Sequence, residues 1–331
     1  MATKNDNEVR VSSDLSEGEI KAIQKRRERV KTCLHELLDV HFDEDKVPNI
    51  VVLGSGGGLR AMIALLGTLV ELKNQNILDA VMYLCGVSGS TWCMSMLYTD
   101  SKWSEKLSLE ENLINILTVD SWDISKAIDY LEESSEDENY SLTDVWTCVV
   151  YKILHQFDEK ELTDYKDASE SGINPYPIYA AVDKEKLNEA CAGASSPGTW
   201  FEFTPHEAGY TALGAFVSTE NFGSKFENGK LMEKKKEKNI CYMQGLWGSA
   251  LGSMEENLKA IRDYIEWLLR RLLSSCETRT CSPCGYGHEG ISNTTEFSQA
   301  ALLLLELQPC AVSGRDPEEV FNKLLKILSG K

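Results

Sequence analysis

The sequence lacks the features that mark membrane and secreted proteins. Its longest apolar stretch, Ala300 to Leu305, is far too short to span a bilayer. The N-terminal residues MATKNDNEVR contain no apolar core of a signal peptide. These absences predict a soluble protein of the cytosol.

Basic side chains are scarce relative to acidic ones. The chain carries 52 Asp and Glu residues against 34 Lys and Arg residues, a formal net charge of −18. Such a charge repels nucleic acid and gives no general attraction to anionic lipid. We therefore expect no nucleic-acid partner, and any contact with intracellular membranes must be local and peripheral.

A disulfide framework is also missing. The ten cysteines are scattered through apolar segments, which indicates free buried thiols. Cys276, Cys281 and Cys284, followed by His288 and Cys310, have a spacing that would also suit zinc or an iron–sulfur cluster. The favoured interpretation is a loop of free thiols, so we predict no metal site.

What is present is the pattern of a large layered domain. The chain has 331 residues, of which 42% are hydrophobic, and this is enough for a sizeable core. The predicted elements are a helix over 16–38 that opens on capping-box spacing, a strand over 50–53 buried on both faces, a helix over 60–74, a strand over 81–85 and a helix over 90–98. This order indicates an α/β fold with a parallel-containing central sheet flanked by helices.

The pattern changes from about residue 120 to 170. The acidic block Glu132–Glu138 is typical of a solvated loop, or of a mobile cover beside a binding site. We predict a polar tail over 1–14 and one domain over 15–331 that contains a lid-like insertion at about 120–170. The run Lys234–Lys238 is typical of solvated surface, with contact to lipid headgroups as the alternative.

Two glycine-rich turns follow the two predicted strands, Gly54–Arg60 and Gly86–Ser90. Both lie at the edge of an α/β sheet where ligands bind. A phosphate-binding P-loop is excluded because Leu59 and Arg60 replace its lysine and hydroxyl residue. A dinucleotide site is disfavoured because its acidic candidate, Asp79, precedes the second strand and should follow it.

The third use of such turns is acyl transfer. Ser88 is a turn residue, a helix cap or a nucleophile by its local sequence alone, but a nucleophile beside an oxyanion hole accounts for both turns together. The last glycine of the usual G-x-S-x-G elbow is Ser90 here. An ordinary Ser-His-Asp hydrolase is therefore disfavoured, and none of the five histidines lies in a recognisable catalytic context; we interpret His206 as structural.

Several long motifs resemble the cytosolic, group IV phospholipases A2, above all their calcium-independent gamma-type members, and more distantly the fungal lysophospholipases. The motifs are GSGGGLRAM at 54–62, LCGVSGSTWCMSMLY at 84–98, FEFTPHEAG at 201–209, FGSKFENG at 222–229 and GLWGSALG at 245–252. They occur in the family's order and extend the resemblance from about residue 15 to 255. The resemblance implies a patatin-like or cytosolic-phospholipase-like hydrolase fold.

The resemblance also implies roles for particular residues. Ser88 is expected to be the nucleophile, Gly57 and Gly58 to line the oxyanion hole, and Arg60 to bind the substrate phosphate. The family uses a Ser-Asp dyad, in which the carboxylate takes the serine proton directly. The expected reaction is hydrolysis of a glycerophospholipid at a membrane surface through an acyl-serine.

Two departures from the family pattern matter. The calcium-dependent lipid-binding module of many members is not found upstream, so we expect no cofactor and no calcium requirement. The family's catalytic aspartate lies in an Asp-Gly-rich turn, and no Asp-Gly dipeptide occurs in the chain; the catalytic aspartate is therefore unknown. We expect a C-terminally shortened catalytic domain, with a non-catalytic lipid-binding or regulatory homologue as the alternative.

Overall fold

The computed structural model describes residues 6–106, 114–115, 118, 123–183 and 200–248. The chain divides into two compact units, one formed by Met1–Val119 and Phe157–Gly248 and the other by Asp120–Gln156 and Ser249–Lys331. The cysteine-containing segment 276–310 lies outside the described residues.

The first unit contains a central sheet and a separate hairpin. Its strands are β1 Arg10–Val11, β2 Val51–Gly54, β3 Tyr83–Val87, β4 Tyr176–Val182, β5 Trp200–Phe203, β6 Glu207–Tyr210, β7 Ala215–Ser218, β8 Lys225–Glu227 and β9 Lys230–Glu233. The central sheet has the order β1-β7-β6-β5-β4-β3-β2, and β8 pairs with β9. β2, β3 and β4 are parallel and the other neighbours are antiparallel, which confirms the predicted fold class.

The described residues of the two units also form seven α-helices. They are α1 Glu17–Leu38, α2 Gly58–Asn74, α3 Gly89–Leu97, α4 Ile124–Ser135, α5 Leu142–Leu154, α6 Lys166–Glu170 and α7 Ile240–Trp247. Short 3-10 helices are Glu44–Lys46, Leu78–Ala80, Trp103–Glu105, Leu162–Tyr165, Thr211–Leu213 and Thr219–Asn221. None of the helices in the described ranges combines the length and the apolarity that crossing a bilayer requires.

The predicted elements of the first hundred residues are confirmed, with boundaries that differ by one or two residues. Ser16 caps α1 by accepting a hydrogen bond from the Glu19 N–H at 3.1 Å. The reciprocal bond of a capping box is replaced, because the Glu19 carboxylate accepts from the Tyr83 hydroxyl at 3.0 Å. Residues 10–11, which belong to the predicted polar tail, form β1 and pair with β7.

The expectation that the first strand is buried on both faces is wrong. Val51 and Leu53 are exposed, Leu53 by 77%. Among the described residues β2 pairs with β3 alone, so it is the last strand on its side of the sheet. An apolar run reports the hydrophobicity of a strand, whereas burial depends on neighbours that distant parts of the chain supply.

Arg26 joins α1 to the segments that precede β3 and β4. Its side chain is 1% exposed and donates to the carbonyl oxygens of Leu78 and Val81, both at 2.9 Å, and to that of Ile173. Burial lowers the pKa of this guanidinium to about 10. Asp79 belongs to the 3-10 helix that precedes β3, and its Oδ1 lies 2.9 Å from the Arg29 Nε. It therefore lies at the opposite end of β3 from the position that a dinucleotide site requires.

A second buried cluster joins α1 to strands β3, β5 and β6. Glu207 accepts two hydrogen bonds from Arg10, at 2.6 and 3.0 Å. Glu19 is 4% exposed, and its burial, together with the charges of Glu202 and Glu207, raises its pKa to about 7. The cluster therefore holds a carboxyl group that titrates near neutral pH.

His206 lies in the interior of the protein, and the described cysteines form no disulfide. His206 is buried, with Nδ1 2.7 Å from the Tyr176 hydroxyl and Nε2 2.8 Å from the Glu170 carboxylate, as expected for a structural residue. The five described cysteines are free, as predicted, and all except the partly exposed Cys85 are buried; they are Cys33, Cys85, Cys93, Cys148 and Cys241.

The described part of the second unit is a pair of capped helices. Asp123 caps α4, and Ser141 with Asp144 forms a capping box at the start of α5. The acidic block at 132–138 begins inside α4 and leaves the helix only after Ser135, so the expectation of a loop is wrong for its first half. That this insertion acts as a lid stays a prediction.

Candidate active site

Ser88 occupies a sharp turn between β3 and α3. Its φ of 54° and ψ of −125° are unusual for a residue with a side chain, and its position is partly exposed. The Ser88 carbonyl accepts hydrogen bonds from the backbone N–H of Thr91, at 2.9 Å, and from the Thr91 hydroxyl. This is the strand–turn–helix geometry of a nucleophile elbow.

The glycine turn between β2 and α2 runs beside this elbow. Gly57 has a φ of 142° and Gly58 a φ of 59°, conformations that glycine adopts at little cost. A Cβ built on Gly56 would lie 3.3 Å from the Ser88 Cβ and 3.9 Å from its Oγ. The structure thus brings the two predicted turns together.

Gly89 makes the closest approach between the turns. A Cβ on Gly89 would overlap the Gly58 carbonyl oxygen and lie 2.7 Å from the Gly58 carbonyl carbon. A side chain at position 89 would therefore separate the turns. The glycine that follows the serine is required by tertiary contact and not only by the local turn.

Ser90 contributes a contact that sequence reasoning did not foresee. It is 1% exposed, and its Oγ donates to the carbonyl oxygen of Ser55 at 2.6 Å. The sequence departs from G-x-S-x-G at this position, because a serine stands where the usual elbow has glycine. The sequence contains this signal but does not identify the acceptor.

The electrostatics of the site favour a developing negative charge. α2 and α3 both begin at the site, and helix N-termini carry partial positive charge and free N–H groups. Arg60 lies in the first turn of α2 and is exposed; within the described ranges its guanidinium has no hydrogen-bond or ion-pair partner. An anionic group bound at this edge would lie near the two helix N-termini and the Arg60 guanidinium.

The Ser88 hydroxyl differs chemically from the two thiols near the turn. Burial raises the pKa of the Cys85 thiol, in β3 below the turn, and of the Cys93 thiol in α3 to about 12 in each case. These thiols stay protonated at neutral pH and are poor nucleophiles. In the part of the chain that the structure describes, no carboxylate forms a hydrogen bond with the Ser88 hydroxyl.

Comparison with known proteins agrees with this geometry. The family model described as lysophospholipase catalytic domain matches residues 50–261. Cytosolic phospholipase A2 gamma from Homo sapiens is 46% identical over 266 residues, covering 80% of this chain and 47% of that protein. The Mus musculus protein of the same name is 44% identical, covering 76% and 40%. The chain thus spans about half the length of the curated relatives it matches.

A solved structure shares the fold. The human GIVD cytosolic phospholipase A2 in complex with methyl gamma-linolenyl fluorophosphonate aligns with a TM-score of 0.66 and 29% identity, over 79% of this chain and 39% of that one. The sequence match includes both glycine turns, Ser88 and the strands that position them. The chain therefore belongs to the lysophospholipase catalytic-domain family, with the cytosolic phospholipases A2 among its relatives.

Proposed function

We propose that the protein hydrolyses an acyl ester of glycerophospholipids, as a phospholipase A2 or lysophospholipase, through an acyl-enzyme on Ser88. The observation that carries this proposal is the pair of turns: a serine at positive φ stands between two helix N-termini and beside a glycine turn. Carboxylic ester hydrolysis requires such a nucleophile and N–H donors for the oxyanion.

In the proposed reaction the Ser88 Oγ attacks the ester carbonyl carbon and transfers its proton to a general base. The N–H groups of Gly57 and Gly58 stabilise the negative oxygen of the tetrahedral intermediate. The carbon–oxygen bond to the glycerol then breaks, and the alcohol leaves with that proton, which forms the acyl-serine. Water hydrolyses the acyl-serine and releases the fatty acid. The general base of this chain is unassigned.

Arg60 suits the phosphate of the same substrate. It is exposed, it belongs to the helix that begins at the glycine turn, and a guanidinium pairs with phosphate through two hydrogen bonds. A phospholipid substrate requires contact with a lipid surface. We accordingly propose a cytosolic protein that binds intracellular membranes peripherally.

One observation favours a second function, that of a non-catalytic lipid-binding or regulatory homologue. No carboxylate of the described residues forms a hydrogen bond with the Ser88 hydroxyl. Removing the base from a nucleophile–base pair costs orders of magnitude in rate, although an oxyanion hole retains part of the acceleration. Such a protein would bind lipid without hydrolysing it.

We expect a fluorophosphonate probe to label the purified chain on Ser88. The probe forms a covalent bond only with an activated serine, and a solved relative is complexed with a fluorophosphonate. Peptide mass spectrometry locates the adduct, and Ser88→Ala should remove it. The same experiment in excess EDTA tests the prediction that no calcium is needed.

The outcomes separate the two functions. An adduct on Ser88 in the wild type, absent from Ser88→Ala, supports the hydrolase. Wild-type protein that is folded by circular dichroism and stays unlabelled contradicts it and favours the lipid-binding homologue, whose affinity for phospholipid vesicles can then be measured directly.

Arg60→Ala should reduce hydrolysis of phospholipids by roughly 10- to 100-fold, the effect of one or two lost charge-assisted hydrogen bonds. Hydrolysis of a neutral ester such as p-nitrophenyl butyrate should change by less than about threefold, because that substrate has no phosphate. Arg60→Lys is the matched control and should restore the rate only in part. Equal losses on both substrates would exclude phosphate binding by Arg60.

A further inference from the structure

Ser90 links the two turns of the site through a partly buried hydrogen bond. It lies two residues after Ser88 in the first turn of α3, and its hydroxyl donates to the Ser55 carbonyl at 2.6 Å. Ser55 opens the glycine turn. The donor thus belongs to the elbow and the acceptor belongs to the turn with Gly57 and Gly58.

The Ser90 side chain is enclosed on two sides. A Cβ on Gly54, at the end of β2, would lie 2.6 Å from both the Cβ and the Oγ of Ser90. A Cβ on Gly86, in β3, would lie 3.2 Å from the Ser90 Cβ. Since Ser90 is also 1% exposed, its hydroxyl lacks water as an alternative partner and has little room to turn away.

Fixing the Ser55 carbonyl also orients the next N–H group. The peptide unit is planar and trans, so the carbonyl of Ser55 and the N–H of Gly56 point in opposite directions as one rigid plate. The following residues, Gly57 and Gly58, have positive φ and no side chain to restrict them. Without an anchor at Ser55 this turn would lose its alignment with Ser88.

We propose that Ser90 is a positioning residue that holds the oxyanion turn in register with the nucleophile. The inference rests on the proposed function, because it assigns the glycine turn to the oxyanion. The proposal gives a physical reason for a serine at the place where the usual elbow has glycine. The serine hydroxyl forms a hydrogen bond between the two turns, which glycine could not form.

The test is Ser90→Ala, with two measurements. In the first, Ser88 is labelled with a fluorophosphonate over a range of probe concentrations. We expect the maximal rate of labelling to fall roughly 10- to 100-fold, with less than about a threefold change in the half-saturating concentration, because misalignment affects the reacting geometry more than probe binding. In the second, amide hydrogen exchange of residues 54–60 should become faster.

Ser95→Ala is the matched control. Ser95 lies in the same helix and is completely buried. Its hydroxyl donates to the Trp92 carbonyl at 2.9 Å and also accepts from the Gln244 side-chain amide at 2.9 Å. The control should lower the melting temperature at least as much as Ser90→Ala does, while labelling of Ser88 and exchange at 54–60 stay at wild-type values. If Ser90 contributed only to stability, Ser90→Ala and Ser95→Ala would show the same labelling of Ser88 and the same exchange at residues 54–60.

Two results would overturn the proposal. One is a labelling rate of Ser90→Ala equal to that of the wild type or of Ser95→Ala. The other is unchanged exchange at residues 54–60, which would show that Ser90 does not hold the turn. If the wild type itself is never labelled, the proposed function fails, and the exchange experiment still decides whether Ser90 anchors the turn.

Discussion

Replacing Gly89 with alanine should destabilise the fold by about 3 kcal/mol and abolish labelling of Ser88. The added methyl group would overlap the Gly58 carbonyl oxygen and lie 2.9 Å from the Gly58 Cα. Both partners are backbone, so no side chain can rotate away, and overpacking of this kind costs about 1–3 kcal/mol or more. Urea unfolding measures the first effect, and a fluorophosphonate probe measures the second.

The loss of labelling should exceed what the loss of stability explains. Relief of the overlap requires the elbow and the glycine turn to move apart, which would carry the proposed oxyanion donors, the N–H groups of Gly57 and Gly58, away from Ser88. Labelling is therefore compared in buffer without denaturant, where the variant is still folded by circular dichroism.

Gly67→Ala is the matched control for a glycine replacement in this layer of the fold. Gly67 lies on the exposed side of α2, and a Cβ there would meet no atom within 4 Å. Because alanine favours helix over glycine, this variant should be more stable by about 0.5–1 kcal/mol and should label normally. A Gly89→Ala protein as stable and as reactive as Gly67→Ala would show that the close approach of the turns is absent.

Glu19→Gln should make the protein more stable at pH 8 by up to about 3 kcal/mol, since a pKa difference of one between the folded and unfolded states corresponds to about 1.4 kcal/mol. The ordinary pKa of 4.5 rises to about 7 in the folded state, first because the carboxyl group is buried and then because Glu202 and Glu207 lie near it. Ionising the buried group therefore weakens the fold. A neutral amide keeps an oxygen for the Tyr83 hydroxyl and removes this cost.

The sign of the pH dependence follows from the raised pKa. Between about pH 4.5 and pH 7 the folded state holds a proton that the unfolded state has released, so the free energy of unfolding falls as pH rises through this window. Glu19→Gln should flatten the fall without removing it entirely, because burial also raises the pKa of Glu202. At pH 4.5 the variant and the wild type should be similar.

Urea unfolding of both proteins at pH 5 and pH 8 checks this prediction. The matched control is Glu17→Gln, which removes an exposed carboxylate from the same helical turn. It changes the net charge by the same amount as Glu19→Gln does. Its stability difference from the wild type should be small at both pH values. An identical fall in stability for Glu19→Gln and the wild type would contradict the assignment of the buried proton to Glu19.

The local elements of the site could be predicted from the sequence. Glycines after two apolar runs indicate turns at strand ends, and Ser88 between Gly86 and Gly89 indicates an elbow, because these residue types have local conformational preferences. The structure confirms the elbow and the start of a helix after each turn. The roles of Gly57, Gly58 and Arg60 come from resemblance to a family and stay proposals.

Long-range contacts could not be predicted in the same way. Glu19 has the spacing of a capping residue, yet its carboxylate turns to Tyr83, 64 residues away. The hydroxyl of Ser90 reaches the Ser55 carbonyl, 35 residues away. A sequence window holds no information on which distant group will meet a polar side chain, so neither partner could be named in advance.

The sequence by itself determined that this chain is an α/β protein with two glycine turns, a serine elbow and a strong negative charge, since composition and local periodicity encode these properties. Only the tertiary structure decided that β2 is an exposed edge among the described residues, that Gly89 must lack a side chain, and that Ser90 joins the turns. Each of these depends on the distance between strands that the chain brings together only when it folds.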